Sequence, residues 1–196
     1  MNRKDLEAVY PLSPLQAGML FHTLDSAAAG AYAEHLVLRM RGPLRAEEMR
    51  RAWELMVERH AVLRTAFVWE NVPQPLQAVL RRAELPFSVH DWSGESDPEA
   101  RLAEALRRER ERAFTPSRAP LVRVLLARMA EGEHALAVLM HHGLMDGWSL
   151  SILLSELFTA YAAYLDGSEP ALPPRRPFRD YVAWLARREP GAAEAF

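Results

Sequence analysis

One stretch of this chain, residues 134–165, restricts the possible folds more than any other. It opens with an uninterrupted apolar run, Ala135–Met140, which leads into the seven residues HHGLMDG at positions 141–147. From Trp148 to about Leu165, leucines and aromatic residues recur at helical spacing in a wide apolar stripe. The run predicts a buried strand and the stripe a helix with a broad apolar face. Both need cover from other elements, so we expect helices packed on a sheet.

The rest of the chain supplies those elements. Ser13-Pro14 is typical of a helix N-cap followed by proline at the first helical position. Glu131-Gly132 separates two long strand patterns and predicts an antiparallel hairpin. We expect helices at 15–24, 45–60, 97–114, 148–165 and 178–188, strands at 35–40, 62–69, 76–80, 87–92, 121–129 and 134–142, and a loose connection at 27–30. This mixture predicts an α/β (α+β) fold in which a mixed, largely antiparallel sheet is flanked by helices.

Composition excludes several classes of function. The formal net charge is −2, without the basic excess that nucleic-acid binding favours. The chain has no cysteine, which excludes disulfides, thiolate catalysis and cysteine zinc sites and suits a reducing cytoplasm. We expect no signal peptide, and the uninterrupted apolar runs are too short to predict a membrane span. The sequence thus predicts a cytoplasmic protein with no nucleic-acid or membrane partner.

The two histidines at the end of the apolar strand are candidates for acid–base chemistry. Adjacent strand residues point to opposite faces, so only one of His141 and His142 can face a given cavity. Gly143 and Gly147 bracket a turn into the following helix, and free N–H groups near Gly147 and Trp148 would stabilise developing negative charge. The diverging histidines and the lack of a third ligand at a recognisable spacing argue against a metal site. Ser149 lacks the surroundings of a hydrolase nucleophile.

Asp146 has two possible roles in this turn. It could orient an imidazole, as the third member of a catalytic triad does. Alternatively, it could be a buried carboxylate that pairs with an arginine and fixes the turn. Arg59 and Arg64 are the candidate partners, and Arg64 is the more telling because it interrupts an otherwise apolar strand pattern.

These segments resemble the motifs of one family. Residues 141–147 match the HHxxxDG motif of the condensation domains of nonribosomal peptide synthetases, within the chloramphenicol acetyltransferase-like superfamily. Residues 10–22 resemble the first core motif of condensation domains, and residues 59–67 the second. Residues 181–185 and 192–196 resemble the helix that leads out of the N-terminal lobe. One departure is Gly143, where a bulky aliphatic residue is common in the family.

The resemblance implies a partial domain. A complete condensation domain has two similar lobes with the active site in a tunnel between them. Residues 1–166 would form the N-terminal lobe, and residues 167–196 a proline-rich linker and a helix leading towards a C-terminal lobe that is not in this sequence. The last residues, up to Phe196, have a helical pattern, so we expect the native protein to continue and the isolated lobe to be inactive.

The implied activity is an amide-forming acyltransferase. A donor acyl thioester on the phosphopantetheine arm of one carrier protein would be attacked by the amine of an aminoacyl thioester on a second carrier, with an adenylation domain adjacent. His142 would be catalytic, either as general base or by positioning the amine. Gly147 would offer its backbone near the oxyanion, His141 would be supportive, and Asp146 would pair with Arg64 or Arg59. No bound cofactor or metal is implied. The alternatives are a non-catalytic carrier-docking module and a coenzyme A-dependent acyltransferase.

Overall fold

Helices and strands alternate along the chain much as the hydrophobic pattern predicts. The computed structural model describes residues 2–25 and 32–187. The helices are α1 Pro14–Asp25, α2 Ala46–Arg59, α3 Pro98–Glu111, α4 Gly147–Leu165 and α5 Phe178–Leu185. The strands are β1 Leu6–Pro11, β2 Ala33–Arg41, β3 Thr65–Val68, β4 Leu76–Leu80, β5 Phe87–Asp91, β6 Val122–Ala130 and β7 Glu133–His141. The connection predicted at 27–30 and the motif residues 192–196 lie outside the described residues.

The larger sheet has the strand order β2-β7-β6-β5. The predicted hairpin is present as β6 and β7, and Gly132 makes its turn with a φ of +66° that favours glycine. β2 is antiparallel to β7, whereas β5 is parallel to β6, so the sheet is mixed as expected. Alternate residues of β7 enter two separate cores. Leu136, Val138 and Met140 lie in the core with α2 and α4, and Ala135, Ala137 and Leu139 lie in the core with α3.

A smaller antiparallel sheet, in the order β1-β4-β3, stands beside the first. The α/β class with largely antiparallel pairing is confirmed, but the strands form two sheets where the sequence suggested one. β1 is a strand that the hydrophobic pattern did not lead us to predict. Its burial alternates along Leu6–Pro11, which is the pattern of an edge strand with one face on the protein.

The strand predicted at 62–69 is wrong in its first half. Residues Ala61–Arg64 form a 3-10 turn, and β3 begins only at Thr65. In this turn the Arg64 guanidinium reaches back to the last carbonyls of α2, with Nε donating to Val57 O at 2.9 Å and Nη2 to Glu58 O at 3.2 Å. Helix ends leave such carbonyls without partners, so a buried arginine that satisfies them favours the turn over an extended strand.

α4 is the one described helix that is long and apolar enough to cross a membrane by length and composition. Its contacts are those of a core helix, which meets the same test. Leu153, Leu157 and Ala160 are buried in the core shared with α2. A buried, ion-paired glutamate, Glu156, lies at its centre.

Candidate active site

His142 is the histidine of the pair that faces open space. It directly follows β7, where its N–H donates to Tyr32 O at 2.8 Å. Its side chain is 29% exposed and lines a groove of about 950 Å³. The ring atom Nδ1 lies 3.2 Å from Glu34 Oε2 on β2, but the two groups are not aligned for a hydrogen bond, so this contact is electrostatic.

The groove runs between parts of the chain that are far apart in sequence. Its lining comes from β1, the start of α1, the segment around His60, the turn after His142, the start of α4, and residues 175–181, 184 and 185. Four of the predicted site residues line it, namely His142, Asp146, Arg59 and Arg64. His141 and Gly147 are not among the described residues that form its surface. The groove therefore brings together most, but not all, of the predicted site.

His141 is buried on the opposite side of the strand, at 2% exposure. Its Nδ1 accepts the Gly143 N–H at 3.1 Å, and its Nε2 lies 3.4 Å from Thr23 Oγ1. Since the Thr23 hydroxyl already donates to Met19 O, we assign the ring proton to Nε2. Burial, followed by the nearby charge of His142, lowers the pKa of His141 to about 4. This residue is a neutral structural imidazole that holds the turn.

A side chain at Gly143 would be crowded. A Cβ atom there would lie 3.0 Å from His141 Nδ1 and 3.1 Å from Phe67 Cζ, so these side chains would have to shift by a few tenths of an ångström. Gly147, in contrast, has open space around the position of its missing Cβ. The crowded glycine is thus the one at which this sequence departs from the family pattern.

The predicted ion pair between Asp146 and an arginine is absent from the described residues. Asp146 is exposed and caps α4 instead, with its Oδ1 accepting the Ser149 N–H at 2.8 Å. Arg64 pairs with Glu7 at 2.6 Å, and Arg59 pairs with Glu156 at 2.7 Å. The backbone hydrogen bond from Ser149 lowers the pKa of Asp146. A carboxylate at the first turn of a helix satisfies its free N–H groups, which accounts for Asp146 without any arginine.

Capping by Asp146 also fixes the N-terminus of α4 beside His142. Its carbonyl accepts the Leu150 N–H, and its side chain accepts that of Ser149. The first N–H groups of a helix have no acceptor within the helix, and those of Gly147 and Trp148 lie at this end of α4, although neither residue is among the described residues that line the groove. A developing oxyanion suits this position because the helix dipole is positive there.

Glu156 is a site residue that was not predicted. This buried carboxylate accepts from Arg59 at 2.7 Å and from Arg175 at 2.5 Å, and it contacts His60 Nε2 at 2.9 Å. Burial alone would raise the pKa of Glu156, but the hydrogen bonds from the two arginines outweigh this and lower it to about 2. Burial lowers the pKa of His60, against the opposing influence of Glu156. The available signal was weak, a single glutamate within an apolar helical stripe.

Gln16 is a second residue that was missed, and it joins the first motif to the histidine turn. Its Nε2 donates to Gly143 O at 2.9 Å, and its Oε1 accepts from Ser13 N–H and from Gln77 Nε2. Ser13 Oγ in turn accepts the Gln16 N–H at 3.3 Å. This reciprocal arrangement is a capping box, and the Ser-x-x-Gln spacing could have identified it.

A family model described as "Condensation domain" matches residues 6–194. This chain belongs to the condensation domain family. It is 42% identical over 196 residues to one of the linear gramicidin synthase proteins of Brevibacillus parabrevis, covering 98% of this chain and 2% of that protein. It is 34% identical over 193 residues to bacitracin synthase 1 of Bacillus licheniformis, covering 97% of this chain and 4% of that protein. The predicted resemblance to condensation domains of nonribosomal peptide synthetases is confirmed.

Solved structures show the same fold. The first condensation domain of the calcium-dependent antibiotic synthetase, solved in complex with a substrate analogue, superposes with a TM-score of 0.87 at 20% identity and covers 96% of this chain. The starter condensation domain of rhizomide synthetase RzmA gives a TM-score of 0.82 at 19% identity and covers 92%. This chain spans 47% and 45% of those two chains and only a few per cent of the curated relatives. It therefore corresponds to about half of a condensation domain.

Within the described part of this condensation-domain chain, no group of three or more His, Asp or Glu side chains is placed to hold a metal ion. The charged and titratable groups that line the groove include two imidazoles, of His142 and His60, several carboxylates, among them that of Asp146, and several guanidinium groups. Acid–base chemistry and stabilisation of negative charge are what such groups supply.

Proposed function

We propose that this chain is the lobe that carries the catalytic motif of a nonribosomal peptide synthetase condensation domain. The complete domain would form an amide between a donor acyl thioester and the amine of an acceptor aminoacyl thioester, each held on the phosphopantetheine arm of a carrier protein. The observation that carries this proposal is the placement of His142, whose ring lines the groove beside the N-terminus of α4.

In the proposed reaction the acceptor amine attacks the thioester carbonyl. A C–N bond forms, the carbonyl oxygen becomes negative, and the C–S bond then breaks to release the donor carrier's thiol, which takes up a proton equivalent to the one that the amine loses. The Glu34 carboxylate beside Nδ1 favours the ring proton on that nitrogen, which leaves Nε2 of His142 to accept from the amine. His142 then removes that proton or holds the amine in line. The positive end of the α4 dipole, where the N–H groups of Gly147 and Trp148 lie, would stabilise the oxyanion.

The other predicted site residues would support the reaction indirectly, by holding the turn and the helices around His142. Asp146 acts through the α4 cap and His141 through the Gly143 turn. Arg64 acts through the last carbonyls of α2, and Arg59 through Glu156 at the centre of α4. Residues 1–166 form the lobe, and residues 167–196 lead towards a second lobe that closes the groove. Exposed apolar side chains along the groove, such as Leu15, Ile152 and Trp184, suit such a partner. The expected setting is the cytoplasm, next to an adenylation domain.

The test is His142→Ala in the complete synthetase. We expect condensation between two loaded carriers to fall by about 10²–10⁴-fold, as for loss of a general acid–base group, while the melting temperature stays unchanged. His35→Ala, at an exposed histidine of β2 outside the groove, is the matched control and should retain full rate.

Either of two outcomes would refute the proposal and favour another function. A His142→Ala variant that condenses at the normal rate would leave carrier docking as the function of the lobe. Acyl transfer from a coenzyme A thioester to a small amine without any carrier would favour the coenzyme A-dependent acyltransferase.

A further inference from the structure

The segment between α4 and α5, residues 167–177, has no helix or strand, yet a buried charge fixes it to the protein. Arg175 Nε donates to Glu156 Oε1 at 2.5 Å. Arg59, which holds the other oxygen of the same carboxylate, also donates through Nη2 to Pro173 O. Leu172 packs against the main core between these contacts and α4. We call this set of contacts around Glu156 the clasp.

The clasp is a closed arrangement of charges. The Glu156 side chain is 4% exposed, and the Arg59 side chain is 19% exposed. Removing a carboxylate from water is costly unless charged donors replace the water, and here two guanidinium groups and an imidazole do so. Loss of one partner would leave buried charge uncompensated, so the clasp holds as a unit.

The segment held in this way forms part of the groove. Arg175, Phe178, Tyr181 and Trp184 line the same groove as His142, whereas Glu156 is not among the described residues at its surface. The aromatic rings of α5 form a row, with 5.6 Å between the centroids of Phe178 and Tyr181 and 5.8 Å between those of Tyr181 and Trp184. In α5 itself the anchor in the core is Val182, at 6% exposure. A short helix with one buried residue gains further support from the clasp, which lies just before its first residue.

We propose that Glu156 is a positioning residue for condensation. Through Arg175 and Arg59 it holds residues 170–185 in place beside the groove that His142 lines, and so sets the shape of the groove for the thioester-bearing substrate. This inference rests on the proposed function of the groove. The clasp itself is a property of the fold and can be measured without any reaction.

The experiment is Glu156→Gln in the complete synthetase, a change that keeps the shape of the side chain and removes its charge. We expect amide hydrogen exchange of residues 170–185 to accelerate roughly a hundredfold, as for a broken buried ion pair, with exchange in β6 and β7 unchanged. The KM for loaded carriers should rise at least tenfold with kcat retained, because the variant weakens binding and leaves His142 in place.

Two further variants complete the test. Glu99→Gln removes the exposed Arg39–Glu99 pair and should change neither exchange nor KM. Arg175→Gln combined with Glu156→Gln should slow condensation no further than Glu156→Gln alone, since both remove the same clasp. Unchanged exchange at 170–185, or a fall in kcat alone together with faster exchange throughout the lobe, would overturn the proposal. Failure of the proposed function would show differently, as full activity of His142→Ala with the exchange result intact.

Discussion

The capping of α4 by Asp146 leads to a prediction that separates two interpretations of this residue. As an N-cap, Asp146 accepts one N–H, that of Ser149 at 2.8 Å, and its side chain is exposed. Replacing such a cap by alanine costs about 1 kcal/mol, whereas asparagine caps nearly as well as aspartate. A buried carboxylate paired with arginine, as the sequence suggested, would cost about 3–5 kcal/mol with either substitution.

We therefore expect Asp146→Ala to lower the free energy of unfolding by about 1 kcal/mol, or about 2–4 °C in melting temperature for a chain of this size. Asp146→Asn should change it by less than about 0.5 kcal/mol. Thermal unfolding followed by circular dichroism measures both. Asp97 is the matched control, since it caps α3 by the same geometry, accepting the Ala100 N–H at 2.9 Å away from the groove. Asp97→Ala and Asp146→Ala should cost the same.

The contribution of Asp146 to the free energy of unfolding should depend on pH with a defined sign. The pKa of Asp146 is lowered in the folded protein, so its contribution is present above its ordinary value of 3.8 and is lost as the pH falls towards the folded pKa. The advantage of wild type over Asp146→Ala should therefore shrink below about pH 4. A loss of about 3 kcal/mol or more in Asp146→Asn at neutral pH would refute the capping interpretation and restore the ion pair.

Two further predictions concern the turn that Asp146 closes. Gly143→Val should lower the free energy of unfolding by about 1–3 kcal/mol in chemical denaturation, because its Cβ would lie 3.0–3.2 Å from His141 and Phe67. Gly147→Ala is the control and should leave the free energy of unfolding unchanged, since there is open space at its Cβ. Equal losses in the two variants would contradict the crowding argument. His141 has its pKa lowered from 6.5 to about 4, so its contribution to stability is complete above pH 6.5 and is lost as the pH falls to about 4, on the order of 3 kcal/mol in all. His141→Asn should flatten the stability profile over that interval, and an unchanged profile would show that the ring is not buried as a neutral acceptor.

Part of the fold followed from local pattern alone. Helical spacing in α2 predicted one apolar face of six residues, Met49, Ala52, Trp53, Met56, Val57 and His60. The first five are buried, and His60, just past the end of the helix, is half-buried. The period of two along β7 predicted that His141 and His142 would diverge, and one is buried while the other lines the groove. These predictions held because each depends on geometry within one element.

The partners of the charged residues could not be predicted from the local sequence pattern. The sequence put Asp146 with Arg64 or Arg59, but each finds another partner across the fold. Arg59 lies 97 residues from Glu156, and Gln16 lies 127 residues from Gly143. Periodicity carries no information about which of many carboxylates meets a given guanidinium over such distances. The strand predicted over residues 62–64 was wrong for the same reason, since the carbonyls that Arg64 satisfies belong to the end of another element, α2.

The sequence by itself determined most of the helices and strands, the motif and the divergence of the two histidines, because side-chain direction repeats with the backbone's own period. Only the tertiary structure decided that Asp146 is a helix cap, that Gly143 is the crowded glycine and that Glu156 gathers Arg59, His60 and Arg175 behind the groove. Such contacts join separate elements, and their energies depend on burial and distance, which exist only once the chain has packed.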